Sequence, residues 1–216
     1  MKSYLVIGLG RFGTELALKL YECGEEVMVI DTDETLVDKI ADRVTRAVAA
    51  DARDPDVLEK LGAENFDRAI VAVGSDLAAS ALITMNLKAL NVPFIICKAR
   101  DDTYREILEK LGADRVIIPE REVADKLALG LTHAGVMEYI ELSDEYGIVE
   151  MAPPEDWTGK SIRVLELRSR FGANVIALRR GDVISIPPDI DVPITAEDVL
   201  VMLGNYDMFE KLKKKG

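Results

Sequence analysis

The sequence predicts an α/β fold, with a doubly wound parallel sheet of six strands followed by a small α+β domain. Three observations carry that expectation. Six short apolar runs alternate with stretches of helical periodicity over roughly the first 120 residues, the pattern of parallel strands joined by crossover helices. The first run, Tyr4-Leu5-Val6-Ile7, breaks at once into Gly8-Leu9-Gly10-Arg11-Phe12-Gly13 and then opens a helix. From Tyr139 onward the strands are short and most follow one another without a helix between them.

A strand that ends in G-x-G-x-x-G and opens a helix is the phosphate-binding turn of a Rossmann-like fold. Gly8 allows the tight turn, Gly10 lets a pyrophosphate approach the backbone, and Gly13 lets helix and strand pack closely. The free N–H groups and positive dipole end of the helix face the anion. Arg11 adds a fixed charge inside the loop. The helix is expected over 14–22, with Leu16, Leu18, Leu20 and Tyr21 as apolar contacts and Gly24 just past its end.

Val27-Met28-Val29-Ile30 is the second strand and ends in Asp31, about 20 residues after the loop, where a ribose-binding carboxylate belongs. Thr32 follows it. Asp33 caps a helix that turns Leu36, Val37 and Ile40 inward. The third strand, 45–50, ends in Asp51 and Ala52. Asp54-Pro55 starts the next helix with an N-cap acid and proline at the first position. Ala69-Ile70-Val71-Ala72-Val73 is the fourth strand, closed by Gly74-Ser75-Asp76, and a long helix follows over about 77–90. Phe94-Ile95-Ile96-Cys97 is the fifth, ending in Lys98 and leading to Arg100. A helix opened by Asp101 precedes Val116-Ile117-Ile118, the sixth strand, which ends in Pro119-Glu120. Leu58-Glu59-Lys60-Leu61-Gly62-Ala63 recurs at 108–113; this is repeated helix-to-strand turn chemistry, since the flanking sequence does not recur.

Val123, Leu127 and Leu131 then share one helical face. No seventh parallel strand follows, so this stripe packs either on its own sheet or against a second domain or subunit. The domain boundary is expected near 132–137, giving a nucleotide-binding domain at 1–134 and a C-terminal domain at 135–216. In the latter, strands fall at 139–142, 148–151, 175–178, 183–186 and 199–203, with one helix over about 162–171 and another at the end. Trp157, after Pro153-Pro154, reads as a loop or interface anchor.

Composition narrows the function. Hydrophobic residues make up 49% of 216, enough for a packed core, and the net charge is −12. That balance excludes a nucleic-acid binder, which needs a basic face; Lys211, Lys213, Lys214 and Lys215 read as a solvated helix end. Cys23 and Cys97 form no C-x-x-C and read as reduced thiols. No apolar run approaches the roughly 20 residues that span a bilayer, and the chain starts directly on a strand. A soluble cytoplasmic protein is expected, one that could dock on a membrane protein.

All six strand ends carry a residue suited to a ligand: Gly8, Asp31, Asp51, Gly74, Lys98 and Glu120. In open α/β sheets these ends line the ligand crevice. They propose a phosphate loop, a ribose acid (Asp31), a base-side residue (Asp51), and a cation and a carboxylate across the cleft. Glu120 could hold Mg²⁺ or Ca²⁺ beside ligand phosphates. A dehydrogenase needs an acid or base near the hydride, but the single histidine, His133, lies away from the strand ends. An NAD-dependent oxidoreductase nevertheless stays open, because Asp31 suits an unphosphorylated ribose. The acidic charge counts against a redox-sensing repressor.

The run Val6-Ile7-Gly8-Leu9-Gly10-Arg11-Phe12-Gly13, Asp31, Val71-Ala72-Val73-Gly74, Leu111-Gly112-Ala113-Asp114-Arg115-Val116-Ile117-Ile118-Pro119-Glu120 and the segment 139–150 resemble the regulator-of-potassium-conductance family, in its branch serving Ktr/Trk-type uptake systems. The resemblance implies a first domain that binds ATP, ADP or NAD(H) without turning them over. It implies dimers paired through the helix after the sixth strand, assembled into an octameric ring that gates an integral-membrane potassium-translocating subunit from the cytoplasmic side. It makes Arg11 a phosphate contact, often across the dimer, and Glu120 a carboxylate near the γ-phosphate. It also brings cyclic di-AMP to the C-terminal domain, near Ile162, Arg168, Phe171, Asn174 and Ile176.

Overall fold

A computed structural model describes residues 1–132, 136–143 and 145–205. The chain divides into two compact units, Met1–Pro119 and Glu120–Gly216. The first holds β1 (Ser3–Ile7), α1 (Arg11–Glu22), β2 (Glu26–Asp31), α2 (Glu34–Ile40), β3 (Arg46–Ala49), α3 (Pro55–Lys60), β4 (Arg68–Val71), α4 (Leu77–Ala89), β5 (Ile95–Lys98), α5 (Asp102–Lys110) and β6 (Arg115–Ile117). Its sheet runs β3-β2-β1-β4-β5-β6, with every neighbouring pair parallel. This is the strand order of dinucleotide-binding folds, and it reverses between β1 and β4.

Alternation along the strands explains the two-sided cover. Leu5 and Ile7 of β1 pack with Ile30, Val71 and Ile95 against Leu58 of α3, Ile83 and Leu87 of α4, and Leu108 of α5. Val6, between them, packs with Val27, Val29 and Ile70 against Ala17 of α1 and Val37 and Ile40 of α2. Each such fully buried aliphatic side chain contributes about 1.5–3 kcal/mol. The repeated hexapeptide does the same work twice: Gly62 (φ +73) and Gly112 (φ +108) both end their helices in the left-handed region.

Several boundaries differ from the sequence reading. Helix α1 begins at Arg11, inside the glycine motif, and Tyr21 is 44% exposed instead of turned inward. Strand β4 stops at Val71 and β3 at Ala49. Pro119 opens the next helix, α6 (Pro119–Thr132), since proline has no N–H to lose at a first helical position. Glu120 therefore sits in a helix's first turn, and α6 groups with the second unit, whereas the sequence reading placed it with the first.

Beyond α6 the second unit contains β7 (Val136–Glu141), β8 (Tyr146–Met151), α7 (Ile162–Leu165), α8 (Leu167–Phe171), β9 (Asn174–Arg180), β10 (Val183–Ser185) and β11 (Asp198–Asn205). They form an antiparallel sheet in the order β10-β9-β11-β8-β7. The helix expected over 162–171 is two, broken at Glu166, whose φ is +48. Trp157 is 1% exposed and lies 5.9 Å from the Phe171 ring, a core residue and not a loop anchor. Asp198, buried at the start of β11, takes a two-pronged pair from Arg180 at 2.6 and 2.7 Å. The terminal helix and His133 lie outside the described residues.

Candidate functional site

The site is built at the carboxyl ends of β1, β2, β3 and β4, across the switch point. Gly8 has φ +99, a left-handed conformation that favours glycine. Its N–H donates to Ile30 O at 2.8 Å, tying the turn to β2. A Cβ at Gly13 would lie 1.9 Å from Gly8 O, so α1 rests directly on the loop only because Gly13 has no side chain. Thr14 Oγ1 donates to Leu9 O at 3.0 Å and closes the turn. Gly10 is different: its backbone is ordinary (φ −65, ψ −179), and a Cβ there would meet nothing within 4 Å. Its bareness serves the open side of the loop.

Helices α2, α3, α4 and α5 each start at an aspartate, Asp33, Asp54, Asp76 and Asp101, whose carboxylate accepts a backbone N–H of the first turn. Helix α1 starts at Gly10, with no side-chain cap and no acid in its first turn. Its leading N–H groups receive no side-chain cap from Gly10.

Two acids stand beside the loop. Asp31 accepts the Leu9 N–H at 2.5 Å on Oδ2 and the Asp33 N–H at 2.9 Å on Oδ1, so the expected ribose acid also clamps the glycine turn. Asp51 takes the Arg53 side chain through Nη2 at 2.6 Å and Nε at 2.9 Å. The Arg53 hydrogen bonds hold the Asp51 carboxyl below the usual carboxylate range.

These groups line a cavity of about 330 Å³, within the size range of ligand sites. Of the expected residues it brings together Gly8, Gly10, Asp31, Thr32, Asp51, Ala52 and Ser75. Arg53 and Asp76 also line it, over an apolar floor that includes Ile7, Ile30 and Ile83. The sequence reading missed both; Arg53 was legible as a partner two residues after Asp51, and Asp76 as the cap of α4. Arg11, Phe12, Gly13, Gly74, Lys98 and Arg100 lie outside the lining. Arg11 is exposed at the first position of α1. Lys98 Nζ sits 5.8 Å from the Phe12 ring centre, and a Cβ at Gly74 would come within 3.1 Å of the Lys98 stem. Arg100 pairs with Asp101 at 3.2 Å and covers the Tyr104 ring. Glu120 belongs to the second unit.

Gly8 and Gly10 of the loop line one part of the concavity, and the carboxylates of Asp31, Asp51 and Asp76 line the rest with Arg53. A metal held by protein alone does not fit: among the described residues no group of three or more His, Cys, Asp or Glu could hold one. Cys97 is buried, 3.2 Å from Thr84 Oγ1, and burial pushes its thiol up to about 11. Cys23 is exposed, and both thiols are free. Among the described residues no helix is long and apolar enough to cross a membrane.

The strand order, the glycine loop opening α1 and the acids ending β2 and β3 define a Rossmann-type domain, here joined to an antiparallel unit. Comparison with known proteins narrows this class. Models of the TrkA-N domain and the TrkA-C domain match residues 4–119 and 147–215. Ktr system potassium uptake proteins C and A of Bacillus subtilis are 37% and 38% identical, over 99% and 100% of this chain and 97% of each relative. The chain belongs to this TrkA/Ktr family of potassium uptake proteins, as the resemblance in the sequence implied. Among solved structures, the GsuK channel bound to NAD matches with TM-score 0.70 at 18% identity, over 99% of this chain and 39% of that one. The chain therefore spans well under half of the channel's length, and the likeness is one of fold. The TrkA-N domain of the Escherichia coli inner membrane protein ybaL matches with TM-score 0.54 at 27% identity, over 59% of this chain and 94% of that one.

Proposed function

We propose that this protein is a nucleotide-binding regulatory subunit that gates a separate membrane subunit carrying K⁺. The observation that carries the reading is the cavity where the glycine loop, through Gly8 and Gly10 at the cap of α1, meets Asp31 and Asp51, in a chain whose relatives are potassium uptake proteins. Phosphates of ATP, ADP or NAD(H) lie on the leading N–H groups of α1, and the ribose lies against Asp31. The reading is regulatory, not enzymatic. The lining carboxylates are engaged in holding structure: Asp31 on the loop, Asp51 on Arg53, Asp76 on α4. A divalent cation, Mg²⁺ or Ca²⁺, enters with the phosphates.

Gating needs ATP and ADP to bind two assembly states with different affinity. Arg11 is exposed outside its own cavity lining, which supports a phosphate contact supplied to a neighbouring subunit. Val123, Leu127 and Leu131 on α6 are 65%, 60% and 77% exposed. That stripe supports pairing of two copies, as the building block of an octameric ring on the cytoplasmic face of the membrane. For cyclic di-AMP at the second unit, Arg168 and Asn174 are exposed, whereas Phe171 is buried in its own core.

Nucleotide binding raises the melting temperature by linkage. A thermal-shift series with ATP, ADP, NAD⁺ and NADH tests the site, and no shift with any of the four sinks it. Arg11→Ala should shrink the difference between ATP and ADP more than it weakens ADP; equal loss for both counts against the phosphate-sensing role. Turnover of NAD⁺ with a defined substrate would overturn the regulatory reading.

A further inference from the structure

We infer that Asn86 of α4 is a positioning residue for the cavity: by holding the Arg53 carbonyl it pins the loop after β3 to α4, and so fixes the wall that carries Asp51 and Arg53 before a ligand arrives. Asn86 is half-buried and does not itself line the cavity. The inference rests on the nucleotide reading above and adds to it a residue that acts through another.

The order of strands creates the need for such a tie. One wall of the cavity comes from the loop after β3, through Asp51 and Arg53, and another from the start of α4, through Asp76, Ala79 and Ile83. In the sheet β3 and β4 stand three places apart, with β2 and β1 between them. Strands are spaced about 4.8 Å apart, so these two lie roughly 14 Å from each other, and no ladder joins them. Their walls must be held together from outside the sheet.

Packing does part of this. Leu58 of α3 and Ile83 and Leu87 of α4 share one core, which fixes the bodies of the two helices. Residues 51–54 give that core only the methyl of Ala52. The last bond to β2 is made just before them, where Ala50 N–H donates to Asp31 O at 2.9 Å. Among the described residues, the other hydrogen bonds of 51–54 stay within the loop or the first turn of α3. Arg53 N–H donates to Asp51 Oδ1 at 3.0 Å, Asp54 N–H to Asp51 O at 3.2 Å, and Asp56 N–H to Asp54 Oδ1 at 3.0 Å. These shape the loop without attaching it. Asn86 Nδ2, donating to Arg53 O at 2.9 Å, attaches it.

Helix α4 presents Asn86 on the side that matters. Its cap Asp76, then Ala79, Ile83 and Asn86, follow at spacings of three, four and three residues, so they lie along one face. The face that lines the cavity therefore continues, one turn on, into the side chain that grips the loop. Asparagine is a weak helix former, and this one stands inside a helix otherwise rich in alanine and leucine. Arg53 passes the constraint on. Its carbonyl is held by Asn86, its N–H by Asp51, and its guanidinium grips the Asp51 carboxylate at 2.6 Å. Residue 53 cannot shift without taking both lining side chains with it, and a wall fixed in advance costs a ligand less to bind.

The test uses the full chain, freed of nucleotide, with ADP as the probe. Isothermal titration should show Asn86→Leu binding ADP about fivefold more weakly than the wild type, because the bound state must then order a loop that the hydrogen bond had already fixed. Urea unfolding of the ligand-free chain should change little, since leucine is the better helix former and offsets the lost bond. Asn86→Gln, which keeps an amide donor on a longer stem, should bind ADP within about twofold of the wild type. A purely structural role gives the reverse split, in which stability moves and affinity does not. ADP binding at wild-type strength by Asn86→Leu, or an equal loss in Asn86→Leu and Asn86→Gln, overturns the role of Asn86 and leaves the nucleotide site standing. No ADP binding by the wild type overturns the nucleotide reading itself, and the positioning role with it. If Asn86→Leu does not fold, Asn86→Ala, which cannot overpack, takes its place: weaker ADP binding rescued by Asn86→Gln supports the assignment, and wild-type binding overturns it.

Discussion

Helices α1 and α2 pack on the same face of the first sheet and begin in opposite ways. Helix α2 starts at Asp33, which accepts the Thr35 N–H at 2.9 Å; α1 starts at Gly10 with no side-chain cap. Helices α3, α4 and α5 follow α2. Every helix start leaves backbone donors without intrahelical partners. Where the chain supplies an aspartate, the helix end is finished by the fold. Where it supplies glycine, the same end has no cap from the side chain at that position. The contrast separates acids that hold structure from the open helix start proposed to take phosphate, and it is measurable by making each kind of helix start resemble the other.

The largest effect should come from crowding the start of α1. Gly13→Ala puts a Cβ 1.9 Å from Gly8 O, a contact that neither backbone can relieve without lifting the helix off the loop. Overpacking of this kind costs about 3 kcal/mol. Urea denaturation should show that loss, and a change under about 1 kcal/mol would mean that α1 does not rest on the loop. Next in size is the loss of an aspartate cap. Asp54→Ala removes the acceptor of the Asp56 N–H at 3.0 Å and should lower stability by about 1 kcal/mol. Nucleotide shifts should be unchanged, because Asp54 does not line the cavity. A reduced shift would show that the caps and the site are not separate.

Much of this contrast could be read from the sequence, because it is local. A strand buried on both faces reads as an unbroken apolar run, as Val27 to Ile30 do, all four buried. A cap reads as an acid ahead of a helical pattern, as at Asp33, Asp54 and Asp101. The glycine motif marked the phosphate loop, though not that α1 begins inside it: helical geometry from Arg11 depends on Gly13 meeting Gly8, a contact across the turn. What depends on distant packing was not legible. Glu166 breaks a helix with φ +48 although no glycine or proline marks the spot. Trp157 is buried because Phe171 and the β8–β11 face cover it, which nothing near it in the chain announces. Arg53 lies between these extremes. Its spacing from Asp51 is visible, but an acid ahead of a helix reads as a cap, and only the side-chain geometry shows the carboxylate turned to the arginine.

The smallest change in stability should come from finishing α1 like its neighbours, and this variant tests the contrast most directly. In Gly10→Asp the backbone stays as it is, since φ −65 with extended ψ suits any residue, and the new Cβ enters space with nothing within 4 Å. The carboxylate can then accept an N–H of the first turn, as Asp33 does for α2, and it adds negative charge at the positive end of the helix dipole. The ligand-free protein should gain a few tenths of a kcal/mol, because aspartate and glycine differ by only that much at this position. Nucleotide-dependent thermal shifts should disappear, because the donors are taken and a fixed negative charge stands where a phosphate would lie. The two readouts move in opposite directions only if the bare helix start is the anion site. A variant that keeps its nucleotide shift would mean that the phosphates lie elsewhere. One that loses stability would mean that Gly10 is needed by the fold itself, like Gly13, and the distinction between a finished and an open helix end would then fail at the position where it matters most.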